Sequence, residues 1–74
     1  MLENEKFLKA LGKNIDKHRK AKGISFQEMA YRCDIEKSNL VKMTTQGENI
    51  TANTLYKISQ GLEVPLKIIF DFKY

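Results

Sequence analysis

Apolar side chains recur near the start of the chain at Phe7, Leu8, Leu11 and Ile15, with His18 next in register. Steps of one, three, four and three residues place them on one face of a helix, predicted over residues 3–21. A last turn rich in Lys and Arg is followed by Gly23, a residue that takes the left-handed helix-ending conformation without steric cost. Ser25 with Glu28 three residues later makes a capping box. The second helix so opened carries Phe26, Met29, Ala30 and Cys33 inward, and Asp34, which tolerates a left-handed turn, ends it. Ile35 leads into a third helix over residues 37–45, with Leu40 and Met43 facing in. Gln46, Gly47, Glu48 and Asn49 read as a loop. Thr51 caps a fourth helix over residues 52–61, with Leu55, Ile58 and Leu62 inside. Pro65 suits the first turn of a short fifth helix reaching about Phe70. The glycines and the proline are assigned to helix boundaries.

Seventy-four residues make one domain, residues 1–74, with a modest core and little room for a catalytic pocket. No apolar run approaches the roughly 20 residues of a membrane helix. The opening residues are acidic and lack a signal pattern, so the expected compartment is the cytoplasm. A single cysteine, Cys33, agrees with a reducing environment. The net charge of +4 attracts polyanions. Its distribution is more telling: Lys6, Lys9, Lys13, Lys17, Arg19, Lys20 and Lys22 face only Asp16 over the same stretch. Such a stripe suits phosphate contact, or alternatively serves as a solvated face for solubility. His18 has no metal-ligand partner and reads as half-buried, and Cys33 reads as a small core hydrophobe. One histidine and no supporting motif assemble no nucleophile, and no Gly-rich phosphate loop is present. No enzyme activity, cofactor, metal or small-molecule ligand is expected.

The informative stretch spans about residues 26–45. Two short helices flank a tight turn at Asp34, Ile35 and Glu36, with small Ala30 expected where they cross. Met29, Cys33, Ile35, Leu40 and Met43 fill the space beneath. That spacing matches a helix-turn-helix. The residues Gly23-Ile24-Ser25-Phe26-Gln27-Glu28-Met29-Ala30 and Cys33-Asp34-Ile35-Glu36-Lys37-Ser38-Asn39-Leu40 resemble the phage-repressor-like (lambda repressor/Cro-like, Xre-type) helix-turn-helix family. So do Asn49 to Ile58 and Gly61 to Leu66.

The resemblance implies an all-α, compact five-helix, lambda-repressor-like domain that binds operator DNA as a homodimer. It places base-reading side chains at Lys37, Ser38 and Lys42, with Asn39 beside the backbone. The chemistry is apt, because Lys donates to guanine O6 and N7 and Ser both donates and accepts. Glu36 is expected to cap the third helix. Arg19, Lys22, Gln27 and Asn49 are the expected contacts to the DNA backbone. Half-sites would lie about 34–36 Å apart. In size the chain resembles small phage repressors and the controller proteins of restriction–modification systems, in which regulation runs through the protein's own concentration.

Four positions depart from the family pattern. Phe26 stands where glutamine usually holds a phosphate, and Asp34 stands at the usual turn glycine. Thr44 replaces the glutamate that pairs with the arginine at position 19, so Arg19 is expected to be partly solvated and to turn to a phosphate or to Thr44. Gln46 replaces a glycine, so the third helix is expected to end one residue late. These weakened contacts keep open a second reading, an antitoxin or other protein-interaction module. At the C-terminal end, adjacent Ile68 and Ile69 cannot both face the core. Ile68, Phe72 and Tyr74 are expected either to form a two-fold dimer interface or to fold back over the core.

Overall fold

Four left-handed residues, Gly23, Asp34, Gly47 and Glu63, close the first four helices and set their lengths. The computed structural model describes residues 2–74. Its elements are α1 (Leu2–Ala21), α2 (Phe26–Cys33), α3 (Lys37–Gln46), α4 (Ala52–Leu62) and α5 (Leu66–Ile69). The all-helical expectation holds among these residues.

At the end of α1 the amide of Ile24 donates to the Arg19 carbonyl (3.4 Å) and that of Gly23 to the Lys20 carbonyl (2.9 Å). This pair of bonds satisfies carbonyls that the helix end would otherwise orphan. The same pattern recurs after α2, where Ile35 and Asp34 donate to Ala30 and Tyr31. It recurs again after α4, where Val64 and Glu63 donate to Ser59 and Gln60. The helix starts are also as the sequence implies. Ser25 Oγ accepts from the Glu28 amide at 3.0 Å and Thr51 Oγ1 from the Thr54 amide at 3.2 Å. Pro65 is the N-cap of α5, just outside its first turn.

The core is a single cluster. It comprises Leu11 and Ile15 of α1, Met29 and Cys33 of α2, Leu40 of α3, Ile50, then Leu55, Ile58 and Leu62 of α4, and Ile69 of α5. Phe7, Ile35 and Met43 pack against it from its edges, and His18 is half-buried. Burial pushes the Cys33 thiol above its ordinary pKa, with nearby Arg32 opposing in part.

Two glycines lie inside helices rather than at boundaries, a correction to the sequence expectation. Gly12 sits in the middle of α1, where a Cβ would overlap the Met43 carbonyl oxygen of α3. Gly61 sits in α4, which runs on to Leu62; a Cβ there would overlap Cys33 Sγ and crowd the Cys33 amide nitrogen at 3.0 Å. Both allow one helix backbone to approach another closely. Helical spacing cannot report this, because it records which face is buried and not how near the neighbour comes. The hinge between α4 and α5 therefore falls at Glu63, a non-glycine with φ 58°.

One buried polar side chain closes the domain. Asn14 is buried, and its Nδ2 donates to the carbonyls of Ile68 (3.0 Å) and Ile69 (2.7 Å). The bonds pin the end of α5 to α1 and satisfy carbonyls that a short helix leaves open.

Two substitutions test this account by denaturant unfolding. Gly12→Ala would stabilise an isolated helix by about 1 kcal/mol. In this fold it is expected to destabilise by about 1–3 kcal/mol, because α3 must shift. Glu63→Gly is expected to stabilise by up to about 1 kcal/mol through relief of the left-handed penalty.

Candidate nucleic-acid interface

The inner side of α3 is fixed by packing and its outer side is free. Leu40 and Thr44 are buried, whereas Lys37, Ser38, Asn39, Lys42 and Thr45 are exposed. Ser38, Lys42 and Thr45 are separated by four and three residues, which places them on one outward face. Lys37 flanks that face at the first turn, and half-buried Val41 borders it. Thr45 and Val41 were missed in the sequence reading, although their spacing from Ser38 and Lys42 was visible there.

Glu36 occupies the N-cap position of α3, but its side chain makes no capping bond. The expected cap is therefore corrected. Its longer side chain suits the position less well than the short Ser and Thr caps of α2 and α4. The first-turn amides of α3 thus face outward beside Lys37 and Ser38, with the helix dipole behind them. At the other end Gly47 stops α3 one residue late, as expected from Gln46, and its α-carbon packs against Lys9 of α1.

Arg19 is partly solvated, as expected, with its side chain 13% exposed, but its partners are not those expected. Nε donates to Asp16 Oδ1 at 3.0 Å, Nη1 donates to the Ile24 carbonyl at 2.7 Å, and the guanidinium lies 4.0 Å from the centre of the Phe26 ring. The bond to Thr44 is absent. Thr44 Oγ1 donates instead to the carbonyls of Leu40 (3.0 Å) and Val41 (3.1 Å) within its own helix. Phe26, Thr44 and Arg19 are thus linked departures. The ring that replaces a polar residue stacks on the arginine, and the missing glutamate is supplied from one turn earlier on α1 as Asp16. The sequence signal was the three-residue spacing of Asp16 and Arg19.

The remaining expected backbone contacts lie on the surface. Lys22 and Gln27 are exposed around the start of α2, and Asn49 is exposed in the segment after α3. The turn between α2 and α3 is tied to α4, since Lys57 Nζ reaches the Asp34 carbonyl at 3.4 Å and Asp34 Oδ2 at 4.0 Å.

At the C-terminal end, Ile69 is buried and Ile68 half-buried, so the adjacent pair divides as helical geometry requires. Phe72 lies 5.6 Å from Phe7, and Tyr74 meets Phe7 edge-on at 5.2 Å. The tail therefore folds back onto α1. Tyr74 nonetheless stays 70% exposed, and Leu66 and Phe70 also present apolar surface. Among the described residues no His, Cys, Asp or Glu cluster could hold a metal, and no helix is long and apolar enough to cross a membrane.

A helix-turn-helix with one core-locked and one open face, flanked by three further helices, makes an all-helical, repressor-like fold. Solved structures share it. The restriction–modification controller protein C.AhdI from Aeromonas hydrophila superposes with a TM-score of 0.82 at 21% identity, over 85% of this chain and 96% of that one. The wild-type controller protein C.Esp1396I gives 0.81 at 26% identity, over 88% and 84%. An HTH_3 family transcriptional regulator from Vibrio cholerae gives 0.85 at 25% identity, over 90% of this chain but 38% of that one. Comparison of the sequence with family models and with curated proteins gives no match.

Arg19→Lys is expected to lower stability by about 1–3 kcal/mol in thermal or denaturant unfolding, because an ammonium cannot serve Asp16, Ile24 and Phe26 together. An unchanged midpoint would show that the clasp contributes nothing.

Proposed function

We propose that this protein is a sequence-specific, double-stranded DNA-binding transcriptional regulator that acts as a homodimer on a pseudo-palindromic operator. The observation that carries the reading is the open face of α3, where Lys37, Ser38 and Lys42 are presented to solvent while Leu40 and Thr44 lock the opposite face. Lysine and serine supply the donors and acceptors needed to read base edges in the major groove. Lys22, Gln27, Asn39 and Asn49 hold the DNA backbone around them. Arg19 is reassigned: its engagement with Asp16, Ile24 and Phe26 makes it a support for the start of α2 rather than a phosphate contact. The structural neighbours include two restriction–modification controllers and a transcriptional regulator, which favours regulation over enzymatic chemistry. The protein would work in the cytoplasm without cofactor or small-molecule effector.

Because Phe72 packs on Phe7 within the folded-back tail, the two-fold contact proposed for Ile68, Phe72 and Tyr74 would use the outer side of that tail, where Tyr74 is exposed and Ile68 half-buried, with exposed Leu66 and Phe70 adjoining. Such an apolar margin on a small basic domain fits a self-complementary interface. Ile68→Asp is expected to shift the sedimentation profile toward monomer at concentrations where the parent protein dimerises.

In-vitro selection from random duplexes at physiological salt tests the function. The expected product is a pseudo-palindrome with half-sites about 34–36 Å apart. Lys37→Ala and Lys42→Ala are each expected to weaken binding to it by about 1–3 kcal/mol and relax preference at one base position. Selection that yields no consensus, with binding that disappears as salt rises, would defeat this reading.

A further inference from the structure

The recognition face leaves most of the chain's positive charge unused. Lys6, Lys9, Lys13, Lys17 and Lys20 are all exposed on α1. At 3.6 residues per turn they fall within an arc of about 80°, and they form a row about 21 Å long. The row is only lightly balanced by acids, with exposed Glu5 one turn before Lys9. Asp16 is already bonded to Arg19 and to Lys20, at 3.0 and 3.2 Å. Asp71 borders the groove near Lys13 and Lys17 without coming within ion-pair distance of either among the described residues. Lys73 of the tail adds a charge at the N-terminal end of the row, where it lines a groove with Lys6, Lys9 and Lys13. A surface maintained only for solubility mixes and pairs both signs, whereas Lys9, Lys13 and Lys17 come within ion-pair distance of no acid among the described residues.

The row is also continuous with the recognition helix. Lys13, Lys17 and Lys20 share a groove with Asp16 and with Thr44 and Thr45 of the last turn of α3, and Thr45 lies on the same outward face as Ser38 and Lys42. We infer that the α1 lysine row is a second DNA-contacting surface, which binds phosphates of the duplex outside the base pairs read by α3. A row about 21 Å long spans about six base-pair steps at 3.4 Å of helix axis per strand charge, so it reaches only the phosphates on the side of the duplex that faces it. The contact carries no base information and extends the footprint into flanking DNA. It rests on the DNA-binding reading above for its register on the duplex, but not for its charge.

The test compares the parent protein with the Lys13→Gln/Lys17→Gln double variant. Glutamine is as good a helix former as lysine, and circular dichroism checks that the fold is kept. Binding is measured by fluorescence anisotropy across a salt series. The two duplexes are the selected operator trimmed to its consensus and the same operator with ten random base pairs on each side. On the flanked duplex the double variant is expected to bind about tenfold more weakly, with the slope of log K against log salt smaller by about two. On the trimmed duplex the two proteins are expected to agree, and the base consensus is expected to be unchanged. In the parent protein alone, the slope is expected to be steeper on the flanked duplex than on the trimmed one. Equal affinity and slope on the flanked duplex, or an equal loss on both duplexes, would overturn the inference. If selection returns no consensus, the regulator reading falls. A random duplex of the flanked length then decides the lysine row alone: a shallower slope in the double variant supports it, and an unchanged slope overturns it.

Discussion

The recognition helix is held by backbone contact rather than by side chains alone. At Gly12 the main chain of α1 comes close enough to α3 that a single methyl group would collide with the Met43 carbonyl. Most other features depend on that approach. It brings Leu40 into the common core that also holds Leu11 and Ile15, and it brings Gly47, the stop of α3, against Lys9. With α3 fixed in this way, Lys37, Ser38 and Lys42 have one direction left open to them.

Helix α1 is the frame of the molecule, and each of its sides does different work. Gly12 receives α3. Asn14 holds the final carbonyls of α5, and Phe7 receives the returning tail through Phe72 and Tyr74. At its C-terminal end Arg19 clasps Ile24 and stacks on Phe26, and so sets the angle at which α2 begins. The backbone reinforces this last contact, because the Ile24 amide donates back to the Arg19 carbonyl. The lysine row occupies the solvent-exposed side of α1, bordered by Gly47 of α3 at Lys9. A helix with four attachments and one charged face leaves little of its own apolar surface exposed, which helps a chain of 74 residues close its core.

Local rules carried much of the structure into the sequence. The caps at Ser25 and Thr51, the stops at Gly23 and Asp34, and the late end of α3 at Gly47 were all legible, because each depends on a few adjacent residues. Contacts between distant residues were not. Nothing near Gly12 or Gly61 in the sequence distinguishes a helix-breaking glycine from one that admits a neighbouring backbone. Asn14 looks like any polar residue on a helix until its partners, 54 and 55 residues away, are in place. Arg19 is an exception, because its partner Asp16 is local, only three residues before it, while the resemblance points to position 44 across the fold. The exposure of Lys37, Ser38 and Lys42 on α3 was legible, whereas Thr45, also exposed, lies one turn beyond the positions that the resemblance implies.

The central claim is that α3, fixed from behind by α1, is the element that enters DNA. Backbone amide resonances of the labelled protein, followed while a selected duplex is added, test it most directly. The account predicts that the largest shifts will cluster at Phe26 and Gln27, from Lys37 to Lys42, and around Asn49, with Leu55 to Leu62 little changed. Shifts confined to the end of α5 and the tail, with α3 silent, would contradict it.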